Sequence, residues 1–519
     1  MQKKAFMPFN SIFAWIIKKR MHQIDLFRKY PAEVQNDVFE KLVSQGAQTV
    51  YGRKFDLDKV SSYQEFKNAV PLTDYEELKP WIDRVMAGEQ GLLWPSETKW
   101  FAKSSGTTSS KSKLIPVTKE SLEGCHYKGG KDLLALYHNN HENRKLFTGK
   151  HLIIGGSAEI NVNPLSQDSY SGDLSAIIVK NLPWWAEIRR TPAKEIALLT
   201  EWEDKIERMA RSTIKEDVKI IAGVPSWTMV LSNRILDITG KSNLKEVWPN
   251  LEMFMHGGVN FEPYREQFKK LIPDDSMNYV ETYNASEGFF GIQDLVDVDH
   301  MLLMLDYGIF FEFIPMSEFN GKESKTVLSI EDVELNVNYA LVISTNGGLW
   351  RYIIGDTLRF TCILPFRFKI TGRVKSFINT FGEELIVENA ELAIAEACGK
   401  TNAQIREFTV GPVYMDNREK GAHEWAIEFV QYPDEMDRFN LVLDEKLREI
   451  NSDYDAKRYH DLVLEKPIIK AVPRETFDGW LKQNGKLGGQ NKIPRLANDR
   501  IVLEQILQIA EGSKLTNEV

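Results

Sequence analysis

Cysteine is scarce in this 519-residue chain: Cys125, Cys362 and Cys398 stand far apart and form no Cys-x-x-Cys pair. That excludes a disulfide framework and a cysteine zinc site, and a cytoplasmic location is the expectation. A basic excess is missing too, with 65 Lys+Arg against 74 Asp+Glu and a formal charge of −9. A nucleic-acid partner, which needs a basic face, is therefore not expected. Long apolar runs are also lacking. The segment Phe13-Ala14-Trp15-Ile16-Ile17, between Lys4 and Lys18, is too short for a membrane span and reads as one face of a helix. There is no internal repeat, no low-complexity stretch and no Gly-x-Ser-x-Gly elbow, so a serine hydrolase finds no support. What remains, 43% hydrophobic and 27% charged residues, is the composition of a folded protein with a sizeable core.

Residues 11–50 carry apolar positions every three or four residues, broken at Pro31, which suits a helix start. Short apolar runs at His151–Gly155, Val218–Ala222 and Leu251–Met255 then alternate with helical stretches, the pattern of an α/β sheet. From about 300 to 370 the runs Ile309–Ile314, Asn338–Ser344, Leu349–Ile354 and Phe368–Thr371 have little helix between them. They predict a β-rich subregion packed on the first sheet. A boundary falls near 372–385, giving a large domain over 1–378 and a small α+β domain over 379–519. In the latter, helices are expected at about 387–398 and 434–450. Strands are expected around 407–414 and 424–431, with further pieces near 462–471.

Four segments carry chemistry. Ser104-Ser105-Gly106-Thr107-Thr108-Ser109-Ser110-Lys111-Ser112-Lys113 gathers hydroxyls, a glycine and two lysines ahead of an apolar strand, a loop of donors for polyanionic oxygens. It is not a Walker loop, because Ser110 stands where glycine should precede Lys111. Tyr283-Asn284-Ala285-Ser286-Glu287 follows His256-Gly257-Gly258 and offers a flat ring, a hydroxyl and a hard oxygen ligand. Trp350-Arg351-Tyr352-Ile353-Ile354-Gly355-Asp356 places an aspartate after a strand, where it can accept from ribose hydroxyls. Near the C-terminus Lys486 and Lys492 sit among glycines, as a mobile cation for a transferring phosphate would. Each has a plainer reading as linker, packing or turn. His126, His138 and His141 lack the partners of a metal site and read as solvated, and Trp184-Trp185 reads as core.

In this order and spacing the segments resemble the adenylate-forming superfamily and, within it, the auxin-responsive Gretchen Hagen family of acyl acid–amido synthetases. The resemblance runs from the helical N-terminus to Pro494-Arg495. It implies a large α/β adenylation domain and a small α+β C-terminal domain joined by a hinge, with ATP and Mg²⁺ required. Residue by residue it implies a phosphate loop at Ser104, Ser105, Gly106, Thr107 and Thr108. Lys111 and Lys113 form its basic tail. An adenine- and Mg²⁺-binding element is implied at Tyr283, Asn284, Ala285, Ser286 and Glu287, with Gly258 beside the nucleotide. Asp356 would bind ribose, Arg373 precede the hinge, and Lys492 reach the ATP phosphates, with Lys486 as its competitor. The chain departs from the family at Ser109-Ser110 and in the hinge Asn379–Glu384, which carries no lysine.

The implied activity is that of an AMP-forming ligase. It converts a small carboxylic acid to acyl-AMP with release of pyrophosphate, then to an amide with an amino acid. An acyl-CoA ligase and a non-catalytic nucleotide-binding protein remain as alternatives. No motif aligns with an acid pocket, and oligomeric state is not legible.

Overall fold

Pro31 divides the N-terminal periodic stretch into the helices Pro8–Lys29 and Pro31–Gly46. Proline is tolerated there because its missing N–H falls among the unpaired donors of a first turn. The computed structural model describes residues 8–104, 113–141, 146–155, 160–163, 166–258, 261, 264–296, 298–374, 377–378, 380, 383, 385–414, 420–451, 454–455, 458, 464–484, 493–497 and 499–516. They form two compact units. The first draws on residues up to Ser104, on Lys113–Ile354 and on Arg359–Lys369; the second on Gly355–Leu358 and the chain from Ile370 onward.

Strands of the first unit are β1 (Trp100–Ser104), β2 (Lys113–Val117), β3 (Lys150–Ile153), β4 (Asn161–Asn163), β5 (Ser166–Asp173), β6 (Arg190–Thr191), β7 (Val218–Ala222) and β8 (Met253–Gly257). They continue as β9 (Asn278–Ala285), β10 (Gly288–Ile292), β11 (Met301–Leu303), β12 (Ile309–Pro315), β13 (Asn338–Thr345), β14 (Tyr352–Ile363) and β15 (Phe366–Arg373), of which Gly355–Leu358 and Ile370–Arg373 count with the second unit. Among the described residues eleven of them make one sheet, in the order β12-β13-β14-β15-β11-β10-β9-β8-β7-β3-β6. The run β6-β3-β7-β8-β9 is parallel. Helices Trp202–Thr213, Pro225–Thr239 and Arg265–Leu271 intervene along the chain, and Met209, Ile235, Phe254 and Phe268 meet in one fully buried core. A smaller sheet, β2-β1-β5-β4, carries the start and end of the Ser/Thr loop.

Two expectations need correction. The β-rich stretch is not a layer packed on the first sheet. A two-residue turn between Ala285 and Gly288 reverses the chain inside the sheet, and β10, β11 and β15 add antiparallel to its edge. Leu349–Arg351 is not strand, because Arg351 takes φ +43° and β14 begins only at Tyr352. The sheet edge at β12 is covered by Gln35. Its carboxamide accepts from Phe311 N at 2.9 Å and donates to Ile309 O at 3.0 Å, as a neighbouring strand would.

In the second unit the pair β16 (Phe377–Ile378) and β17 (Leu385–Ile386) leads to a three-stranded sheet of β18 (Gln404–Val413), β19 (Ala422–Gln431) and β20 (Ile468–Val472). Trp425 and Ile427 face the helices Val387–Thr401 and Met436–Ile450, packing on Ala393 and Leu443. Ala426 faces the helices Thr476–Gln483 and Ile501–Thr516 through Phe477, Trp480 and Ile506. The buried Glu428 carboxylate accepts from Glu475 N and Phe477 N at 3.0 and 3.3 Å, satisfying donors at a helix start.

Candidate active site

In the first unit the Ser/Thr loop springs from a hairpin whose last register pair is Ser104 with Lys113. Lys113 is held between two tyrosines. Its Nζ lies 3.3 Å from the Tyr352 hydroxyl, 5.9 Å from that ring's centre and 5.8 Å from the Tyr75 ring. Tyr75 OH in turn accepts from Leu114 N at 2.8 Å. The positions Ser105, Gly106, Thr107, Thr108 and Lys111, like Lys486 and Lys492, lie outside the described residues.

Tyr283, Asn284 and Ala285 end β9, and Ser286-Glu287 is the turn into β10. The Tyr283 ring packs on Phe290 and Phe368, with centroids 4.7 and 6.1 Å away, and Glu287 is buried to 9% exposure. Beside them β8 closes with His256-Gly257-Gly258. A Cβ on Gly257 would lie 2.4 Å from the Thr282 carbonyl oxygen, so only glycine lets β8 and β9 approach this closely. Gly258 takes φ +82°. These groups sit at the carboxyl ends of neighbouring parallel strands, where open α/β sheets bind ligands.

In the second unit Asp356 on β14 accepts from Arg373 Nε on β15 at 2.9 Å. Val374 N donates to Gly355 O at 2.9 Å and Thr371 to Thr357 at 2.9 Å, fixing the segment around the aspartate. Within the same unit the buried Glu383 carboxylate meets His423 Nε2 at 2.8 Å.

Three domains of one family match over most of the chain: residues 20–277 the GH3 family N-terminal domain, 302–373 the GH3 family central domain and 388–501 the GH3 family C-terminal domain. The chain belongs to the GH3 family. Among GH3 proteins of Arabidopsis thaliana it is 23% identical to indole-3-acetic acid-amido synthetase GH3.4, over 92% of this chain and 91% of that one. It is 22% identical to 4-substituted benzoates-glutamate ligase GH3.12, over 89% and 92%. The structure of the GH3.15 acyl acid amido synthetase has the same fold, with a TM-score of 0.77 at 19% identity and 95% of each chain covered. A 2-hydroxyisobutyryl-CoA ligase shares the fold more distantly, with a TM-score of 0.57 at 11% identity over 94% of both chains.

Sequence reasoning missed Tyr75 and Cys125 near the site and misread His126 and Trp184. Tyr75 was invisible because it meets Lys113 only through the fold. Cys125 and His126 lie on the helical segment after the loop, and His126 is buried at 6% exposure rather than solvated. Among the described residues no cluster of three His, Cys, Asp or Glu could hold a metal. Trp184, read as core, is 75% exposed on the short helix Trp184–Glu187.

Proposed function

We propose that this GH3 protein is an ATP-dependent acyl acid–amido synthetase, with residues 1–378 as its adenylation domain and 379–519 as a mobile domain. The observation that carries the reading is the match to all three GH3 domains, together with relatives named for joining acids to amino acids. In the first half-reaction a carboxylate oxygen attacks the α-phosphorus of ATP. The bond to the bridging oxygen breaks, and pyrophosphate leaves with that electron pair. In the second, a deprotonated amino-acid amine attacks the acyl carbon and AMP leaves.

Charge gathers on phosphate oxygens in the first step, so fixed donors and cations should dominate its stabilisation. Ser104, Ser105, Gly106, Thr107 and Thr108 supply hydroxyls and amides, and Lys113 is already held in place by Tyr75 and Tyr352. Magnesium commonly takes one or two carboxylates plus substrate phosphates, which fits the single Glu287 carboxylate at the hairpin turn. When bound, the ion neutralises charge on those oxygens. Asp356, oriented by Arg373, accepts from the ribose, and Tyr283 backs the adenine. Lys492, or its competitor Lys486, brings a cation from the mobile domain, whose reorientation admits the amine.

Thioester formation shares the first step, and the fold likeness to a CoA ligase keeps it as the second reading. The test is acid-dependent exchange of labelled pyrophosphate into ATP, run with wild type and Lys492→Ala. Exchange that is strong in wild type and lost in the variant supports the assignment. Equal exchange in both overturns the role of Lys492, and none in wild type overturns adenylation.

A further inference from the structure

We infer that Asn284 donates a hydrogen bond to the acyl-acid substrate and that His126, buried behind it, is the positioning residue that turns its carboxamide outward. The inference rests on the adenylation reading above and assigns Asn284 to the acid rather than to the nucleotide.

The helical segment after the Ser/Thr loop is not a regular α-helix. Lys119–Ser121 and Tyr127–Asn140 are joined by a π turn, Leu122–His126. Such turns insert a residue, cost helix stability and recur at functional sites. This one is registered against a single cross-strand pair of the β9–β10 hairpin, Asn284 with Phe289. Cys125 Sγ accepts from Phe289 N at 3.1 Å. Gly129, one turn on, lies so close to the Phe289 ring that a Cβ there would be 2.6 Å from it. His126 Nδ1 then falls 3.1 Å from Asn284 Oδ1.

The chemistry of that last contact has a direction. An amide oxygen only accepts, so the imidazole carries its proton on Nδ1. Burial keeps the ring neutral by pushing it down to about 4, so one tautomer serves across the physiological range. With Oδ1 engaged, the Nδ2 amide faces the other way, and among the described residues nothing accepts from it. Asn284 itself is exposed, at the carboxyl end of β9 beside the Ser286-Glu287 turn. A side chain in solvent has no need of a buried histidine to fix its orientation; a substrate donor does.

Alternation along the strand separates the two neighbours. Tyr283 packs on Phe290 and Phe368, whereas Asn284 projects from the opposite face, on the side of Phe289 and the π turn. A neutral donor suits the acid better than the triphosphate. The attacking carboxylate must keep its charge to remain nucleophilic, and one neutral N–H orients one oxygen while leaving the other to attack. Polyphosphate, by contrast, is matched by cations.

The experiment measures acid-dependent ATP–pyrophosphate exchange with a panel of carboxylic acids that includes indole-3-acetate and benzoate. It compares wild type with Asn284→Ala, His126→Ala and His126→Asn. The expected result is an about tenfold rise in KM for the active acid in Asn284→Ala, with KM for ATP unchanged. His126→Ala should do the same, and His126→Asn, which returns an N–H near the Nδ1 position, should recover most of the loss. Because Asn284 is exposed, its alanine variant reads the contact without disturbing the core. An unchanged acid KM in that variant, or an equal rise for ATP, overturns the inference alone. No exchange by wild type with any acid overturns the adenylation reading beneath it.

Discussion

Arg373 donates through Nε to Oδ1 of Asp356 at 2.9 Å, so the last residue of β15 orients the carboxylate on β14 assigned to the ribose. A carboxylate that receives two sugar hydroxyls must be held in one orientation, and the guanidinium sets that orientation. Asp356→Ala should raise KM for ATP about 10–100-fold, as expected when a charged partner leaves two hydroxyls unpaired. Arg373→Ala should raise it less. Initial rates against ATP at saturating acid give both numbers, and equal KM for ATP in wild type and Asp356→Ala would count against the ribose role.

Gly257 sets the spacing of β8 and β9 just before the Tyr283–Glu287 element. A methyl there would meet the Thr282 carbonyl oxygen at 2.4 Å, and backbone must give way. Gly257→Ala is expected to cost about 1–3 kcal/mol of stability. It should also lower acid-dependent exchange. Urea unfolding and exchange rates measured together check this; a variant as stable and active as wild type would contradict the close approach.

The β14 entry is held by a buried ion pair. Arg351 Nε donates to both oxygens of Glu312 at 3.1 and 3.0 Å, and its Nη1 donates to the Val70 carbonyl at 2.8 Å. Tyr63 OH donates to the same carboxylate at 3.0 Å. Removing one partner strands a charge in the core, so Glu312→Ala should cost about 3–5 kcal/mol. Replacing both, as Glu312→Leu with Arg351→Met, should cost less than the single change. Chemical denaturation of the two variants decides it; a single variant milder than the double would reverse the expectation.

Acid stability should report three buried imidazoles. Burial lowers His126 and His151 from 6.5 to about 4 and His256 from 6.5 to about 3. All three folded values lie below the unfolded one, so unfolding takes up protons. Their contribution is complete above about pH 6.5 and is lost as pH falls through the window down to the folded values. Near pH 5.5 three such groups give a slope of about 3–4 kcal/mol per pH unit. His126→Asn should remove about a third of it. Unfolding free energies across pH 5–7 for both proteins provide the comparison, and identical slopes would refute the buried, neutral state of His126.

The legible part of this molecule was its local part. Helix periodicity broken at Pro31, the run Val218–Ala222 and the hydroxyl-rich loop are all patterns within a few residues, and strand β7 spans that run. What was not legible depends on residues far apart in the chain. His126 finds Asn284 across 158 positions, and only burial distinguishes it from a solvated histidine. Leu349–Arg351 has strand composition, but the Arg351 guanidinium turns inward to Glu312 and the backbone follows into a left-handed conformation. The β-rich stretch was seen as strands. Its junction with the parallel sheet was not, because a two-residue turn at Ser286-Glu287 carries no mark of which edge the next strand will join.

A chain that joins a carboxylic acid to an amino acid through an acyl-adenylate leaves a distinct set of products. The most direct measurement is mass spectrometry of the products formed from Mg-ATP, a pool of carboxylic acids, the amino acids and CoA. An N-acyl amino acid accompanied by one AMP and one pyrophosphate per amide is expected. An acyl-CoA would overturn the acceptor while keeping the adenylation site, and ADP with phosphate would contradict the mechanism itself.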